Sequence, residues 1–87
     1  MSEETVTEKG RPLSLRTLRL MHEMSQTELS PLMFMSRPRV SVIERQSAND
    51  LYVRTIRKYV EALGGRLELS VVFDDGFRVP LKVDKAD

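Results

Sequence analysis

Two hydrophobic rhythms divide the chain. Up to Leu63 the apolar residues recur every three or four positions, and from Leu67 onward they alternate. The helical part breaks at recognisable punctuation. A first helix follows Pro12, over Leu13 to Glu23, with Leu15 and Leu18 on its buried stripe. Ser25-Gln-Thr-Glu28 is a capping box: the serine caps the new helix and the glutamate reaches back. It opens a short second helix, Gln26 to Met33, with Leu29, Leu32 and Met33 inward. Ser36 is the next N-cap, and Pro38 falls in the first turn, where its missing N–H costs nothing. Val40 and Ile43 form the inner face of this third helix, Arg37 to Arg45. A loop over Gln46 to Asn49 leads to a longer helix, Asp50 to Leu63, with Val53, Ile56, Val60 and Leu63 at helical spacing. Gly64-Gly65 ends it.

Beyond it, Leu67, Leu69, Val71 and Phe73 alternate with Arg66, Glu68, Ser70 and Val72. Phe77, Val79, Leu81 and Val83 alternate with Arg78, Pro80 and Lys82. This is a β-hairpin pattern. A two-residue loop would pair Phe73 with Arg78 and split the apolar face. A three-residue loop, Asp74-Asp75-Gly76, pairs Phe73 with Phe77 and Val71 with Val79, and sets Gly76 at the left-handed position. Pro80 cannot donate to a ladder, so the second strand is expected at an edge.

Size and composition narrow the chemistry. At 87 residues the chain is one domain, small enough that dimerisation would help it bury surface. It has no cysteine, which excludes disulfides and thiolate metal sites, and His22 is its only histidine, so a metal or nucleophilic centre is hard to build and no cofactor is expected. No acid, base and nucleophile constellation suggests an enzyme. His22 reads as a surface or helix-end residue and the methionines as core filler. Tyr52 and Tyr59, seven apart, read as packing or interface residues. Residues 1–11, with Glu3, Glu4 and Glu8 and no apolar core, read as a disordered acidic arm rather than a signal peptide. No apolar stretch is long enough to span a membrane, and a cytoplasmic location is expected.

Net charge is only +1, but its distribution is uneven. Residues 37–58 hold Arg37, Arg39, Arg45, Arg54, Arg57 and Lys58 against Glu44 and Asp50, a net +4 between a segment of −1 and one of −2. Most basic runs are solvated helical faces, yet a local positive patch is also what a phosphate backbone needs. Drawn at ~100° per residue, the third helix points Pro38 and Arg45 outward, flanked by Ser41 and Val42, with Arg37 and Arg39 at the margins. Two short helices separated by Phe34-Met35-Ser36, the second with such a face, suit entry into a major groove. The candidate DNA-binding residues are Gln26, Ser36, Arg37, Pro38, Arg39, Ser41, Val42 and Arg45. The candidate dimerisation residues are Leu67, Leu69, Val71, Phe73, Phe77, Val79 and Leu81, because an isolated hairpin is marginal in water.

The stretch Ser25-Gln-Thr-Glu-Leu29 through Val40-Ser-Val-Ile-Glu-Arg45 resembles the Cro/C1-type (XRE) helix-turn-helix family, over roughly residues 13–63. The resemblance implies a mainly α, lambda-repressor-like bundle of four to five helices, here with a C-terminal β-hairpin. It implies phosphate contact by Gln26 and base reading by Arg37, Pro38, Ser41 and Val42. It also implies a structural ion pair between Arg19 and Glu44. Phe34 stands where the family usually has a turn glycine and Glu23 where glycine is frequent. A left-handed Phe34 would cost about 1 kcal/mol. Pro31, inside the second helix, removes the bond to Thr27 and shortens or kinks it. The tail, Thr55 to Gly65 followed by Arg66-Leu-Glu-Leu-Ser-Val-Val-Phe73, resembles HigA-type antitoxins and, less closely, HipB. That resemblance implies a homodimeric repressor of a palindromic operator in double-stranded DNA. It further implies an antitoxin whose toxin is a RelE-like ribonuclease or a HipA-like kinase. A stand-alone or phage-type repressor is the alternative, and a protein-interaction module without DNA binding a further one. The expected organisation is an arm over 1–11, the helix-turn-helix domain over 12–65, and a dimerising hairpin with a short tail over 66–87.

Overall fold

The computed structural model describes residues 12–82. The expected arm, and the end of the second strand from Val83 with the tail, lie outside the described residues. Among the described residues four α-helices are followed by an antiparallel hairpin: α1 Leu15–Met21, α2 Gln26–Leu32, α3 Arg37–Arg45, α4 Val53–Ala62, β1 Leu69–Val72 and β2 Arg78–Leu81. Each of the first three helices starts on a serine. Ser14 Oγ accepts from Thr17 N, Ser25 forms the full capping box with Glu28, and Ser36 Oγ accepts from Arg39 N. Each cap satisfies one N–H that no helical carbonyl can reach.

α1 is shorter than its apolar pattern suggests. It stops at His22, an exposed C-cap, because Glu23 turns left-handed at φ 54°. α2 ends one residue after Pro31, and the α2–α3 turn places Phe34 at φ 57° with 90% of its surface exposed. The left-handed turn that the family fills with glycine is therefore kept, with a bulky residue in it.

The core is Leu29, Met33, Val40, Ile43 and Tyr59, all fully buried. Leu15, Met24, Met35, Leu51, Ala62 and Leu63 pack against it. Four expectations fail here. Leu32 is 52% exposed rather than inward, because α2 turns the side bearing Ser30 and Met33 toward the bundle. Met21, the last residue of α1, is exposed rather than core filler. The long helix does not begin at Asp50. A 3₁₀ turn, Ala48–Asp50, is followed by extended Leu51 and Tyr52, which let Leu51 pack on the core before α4 starts. That break also reorients α4. Tyr59 becomes the centre of its buried face, and Val53 is 42% exposed.

Gly64, at φ 91°, ends α4. The hairpin has the expected register, Val71 opposite Val79 and Leu69 opposite Leu81. Phe73 N–H donates to the Phe77 carbonyl, Gly76 N–H donates to that of Phe73, and Gly76 sits at φ 89°. The loop is therefore the three-residue one.

Candidate nucleic-acid interface

α3 presents a basic outer face. With Val40 and Ile43 buried, Arg37, Pro38, Arg39, Val42 and Arg45 are exposed and Ser41 is half-buried. Arg45 Nη1 donates to Ser41 Oγ across 2.7 Å. Among the described residues no carboxylate pairs with Arg37, Arg39 or Arg45. Ser36 Oγ is occupied as an acceptor by its cap bond, which leaves its hydroxyl proton to donate outward.

Behind this face lies one carboxylate that ties four segments together. Arg19 forks onto Glu44, Nε to Oε2 at 2.7 Å and Nη2 to Oε1 at 3.0 Å, while its Nη1 donates to the Met24 carbonyl at 2.9 Å. Gln26 Nε2 donates to Glu44 Oε1 at 3.0 Å. The Tyr59 hydroxyl points its one proton between Glu44 Oε2 and the Leu15 carbonyl. Glu44 thus receives α1, α2 and α4 at the last turn of α3. Both ionic side chains are almost sealed, at 7% and 3% exposure.

Burial alone would raise the Glu44 carboxyl. Hydrogen bonds from Arg19, Tyr59 and Gln26, with the positive charge of Arg19, outweigh it and hold the group at about 2. The Glu44 hydrogen bond raises Arg19 against the opposing effect of burial. Burial, reinforced by the hydrogen bond to Glu44, pushes the Tyr59 hydroxyl up, so it stays a donor. Among the described residues, no buried side-chain polar atom lacks a partner.

The expected Arg19–Glu44 pair is thus present. Gln26 lies at the edge of the same cluster, at the first position of α2, with its amide held by Glu44. The sequence reading missed Tyr59 as a polar partner. Its signal was available: a tyrosine flanked on the wheel by Ile56 and Leu63 is buried, and a buried hydroxyl needs an acceptor.

The hairpin residues gather on one face. Leu69, Val71 and Phe73 stand opposite Leu81, Val79 and Phe77, with the two phenyl rings 6.5 Å apart. Phe73, Phe77 and Leu81 are each more than half exposed, and none of the seven reaches the buried core. A groove lined by Arg57, Glu61, Leu67, Leu69, Arg78 and Leu81 separates α4 from the strands.

An α2–turn–α3 unit with a basic, outward second helix makes this a helix-turn-helix protein. No protein-family model matches the chain. It is 38% identical over 65 residues to the putative antitoxin HigA2 of Mycobacterium tuberculosis, an alignment covering 75% of this chain; the chain spans 64% of that relative's length. Two solved structures are similar. A DNA-bound antitoxin HigA3 has a TM-score of 0.76 at 27% identity, covering 87% of this chain and 97% of the other. A HigA antitoxin described as inducing DNA bending by a unique dimerization has a TM-score of 0.72 at 30% identity, covering 80% and 92%. The chain belongs to the HigA antitoxin family.

Proposed function

We propose that this chain binds double-stranded operator DNA as a homodimer, represses its own operon and, as a cytoplasmic antitoxin, neutralises a cognate toxin. The observation that carries the DNA-binding part is the outer face of α3: three arginines unpaired with any described carboxylate, around a small apolar centre, on a rigidly held helix. Ser36 and Gln26 serve as phosphate contacts at two helix starts. Arg37, at the first turn of α3, forks onto a base, and Arg39 meets the backbone. Pro38 and Val42 offer only methyl-type contact to thymine. The DNA-bound relative and the dimerising one support both halves of this reading.

The hairpin is the proposed dimer element. Phe73 and Phe77 form a hydrogen-bonded pair, so by alternation Ser70–Pro80 and Val72–Arg78 are non-hydrogen-bonded pairs. Pro80 therefore has its missing donor on the outer edge of β2. The outer edge of β1, with the N–H groups of Ser70 and Val72, is uninterrupted and is the edge suited to pair with a second copy.

The test is a binding titration of the full chain on the DNA upstream of its own gene, at several salt concentrations. Specific binding with a salt slope of about −0.9 per phosphate contact is expected. Co-expression with the product of the adjacent gene should give a stable complex. Operator binding without any such complex would leave a stand-alone repressor.

A further inference from the structure

Arg45 lies two turns beyond Arg37, where a recognition helix climbs away from the bases and an arginine at that position would meet a phosphate. Its side chain does not stay there. Long helical side chains lean toward the helix N-terminus, and Arg45 Nη1 donates 2.7 Å to Ser41 Oγ, one turn back. The guanidinium is thereby brought over Ser41, toward the end of α3 that the operator-binding reading places in the groove. Building on that reading, we propose that Ser41 and Arg45 act as one base-reading unit, whose donor edge recognises guanine in the major groove.

The chemistry follows from what each group has left to offer. A serine hydroxyl both donates and accepts, so alone it discriminates poorly. Here one lone pair is taken by a cation. A base amino group approaching the other lone pair would meet the positive guanidinium. The hydroxyl is left to donate, and Arg45 retains four further N–H donors. In the major groove only guanine offers two acceptors, N7 and O6, with no donor beside them. Adenine pairs its N7 with an amino group, cytosine presents an amino donor, and thymine has one acceptor beside a methyl.

The surroundings keep the unit intact. Its neighbours on the outer face, Pro38 and Val42, have no side-chain hydrogen-bonding group, and no described carboxylate draws Arg45 away. Ser41 is half-buried and Arg45 exposed, and neither belongs to the core, so both can be replaced in a folded chain.

The experiment measures binding of the full chain to operator variants carrying each base at every half-site position. The proteins are wild type, Ser41→Ala, Arg45→Ala, Arg45→Lys and the Ser41→Ala/Arg45→Ala double variant, each at three salt concentrations. Arg45→Ala should weaken binding about tenfold where one particular guanine is present and flatten the preference at that position. Ser41→Ala should loosen the same position by about threefold. The double variant should be no worse than Arg45→Ala. Arg45→Lys keeps the charge but not the fork, so it should retain the salt slope and lose the base preference. The inference is overturned if Arg45→Ala weakens all variants equally while the salt slope falls by about one. It is also overturned if Ser41 and Arg45 affect different positions additively. In those cases the operator-binding reading still stands. A wild-type chain with no sequence preference would remove both.

Discussion

The helical bundle and the hairpin both carry rows of apolar side chains, but only the bundle covers its own. In the bundle, Leu29, Met33, Val40, Ile43 and Tyr59 are sealed, and the one carboxylate brought among them is met by Arg19, Gln26 and Tyr59. In the hairpin, Phe73, Phe77 and Leu81 stay more than half exposed although their register is well formed. Backbone pairing and side-chain burial are separate requirements. The strands satisfy the first by themselves, and two strands alone cannot satisfy the second. The bundle's stability is therefore expected to be a property of the monomer, and the hairpin's a property of the assembly.

The largest effect is expected where the bundle is most tightly tied. Glu44→Ala leaves Arg19 buried without its counter-charge and should destabilise the chain by about 3–5 kcal/mol. The Arg19→Met/Glu44→Leu double variant should cost clearly less than the two singles added, and simple additivity in denaturant unfolding would exclude the coupling. The same group sets the acid limit. A carboxyl lowered from 4.5 to about 2 contributes stability that is present above 4.5 and lost as pH falls toward 2. The wild-type midpoint should fall across that window, and Glu44→Gln should lessen the fall.

A middle-sized effect separates the two regions. Phe73→Ser/Phe77→Ser should shift the protein toward monomer in sedimentation. It should reduce unfolding stability of the isolated monomer by under about 0.5 kcal/mol, the range for exposed substitutions. An unchanged dimer would place the interface elsewhere. An unfolded monomer would show that the hairpin supports the bundle after all.

The smallest effect sharpens the account of the aromatic residue in the left-handed α2–α3 turn. Phe34→Gly relieves the strain at φ 57° and removes an exposed ring, and should raise the thermal midpoint by the equivalent of about 0.5–1 kcal/mol. An unchanged or lower midpoint would mean that Phe34 is held there by a favourable contact.

Local chemistry carried much of this structure openly. α3 was bounded by Ser36 with Pro38 at one end and ran to Arg45 as the pattern indicated. The register of the hairpin followed from keeping Phe73 and Phe77 on one face and from Gly76 being able to turn left-handed. The outward set on α3 followed from Val40 and Ile43 alone. These inferences succeed because caps, turn glycines and short periods act within a few residues of themselves.

What tertiary packing decided was rotation and reach. Periodicity says that α2 and α4 each have an apolar side, but the centre of that side depends on the neighbours. Leu32 and Val53 were left outside because α2 turns Leu29 and Ser30 toward the bundle and α4 turns Tyr59 onto the Glu44 carboxylate. The position of Arg45 over Ser41 is likewise a matter of which neighbour a long side chain finds. The sequence by itself determined the elements, their caps and their pairing register, because those rest on interactions between residues close along the chain. Only the folded chain could decide that Gln26 and Tyr59 join Arg19 on Glu44, since α2 and α4 must both meet the last turn of α3 before one buried charge is fully satisfied.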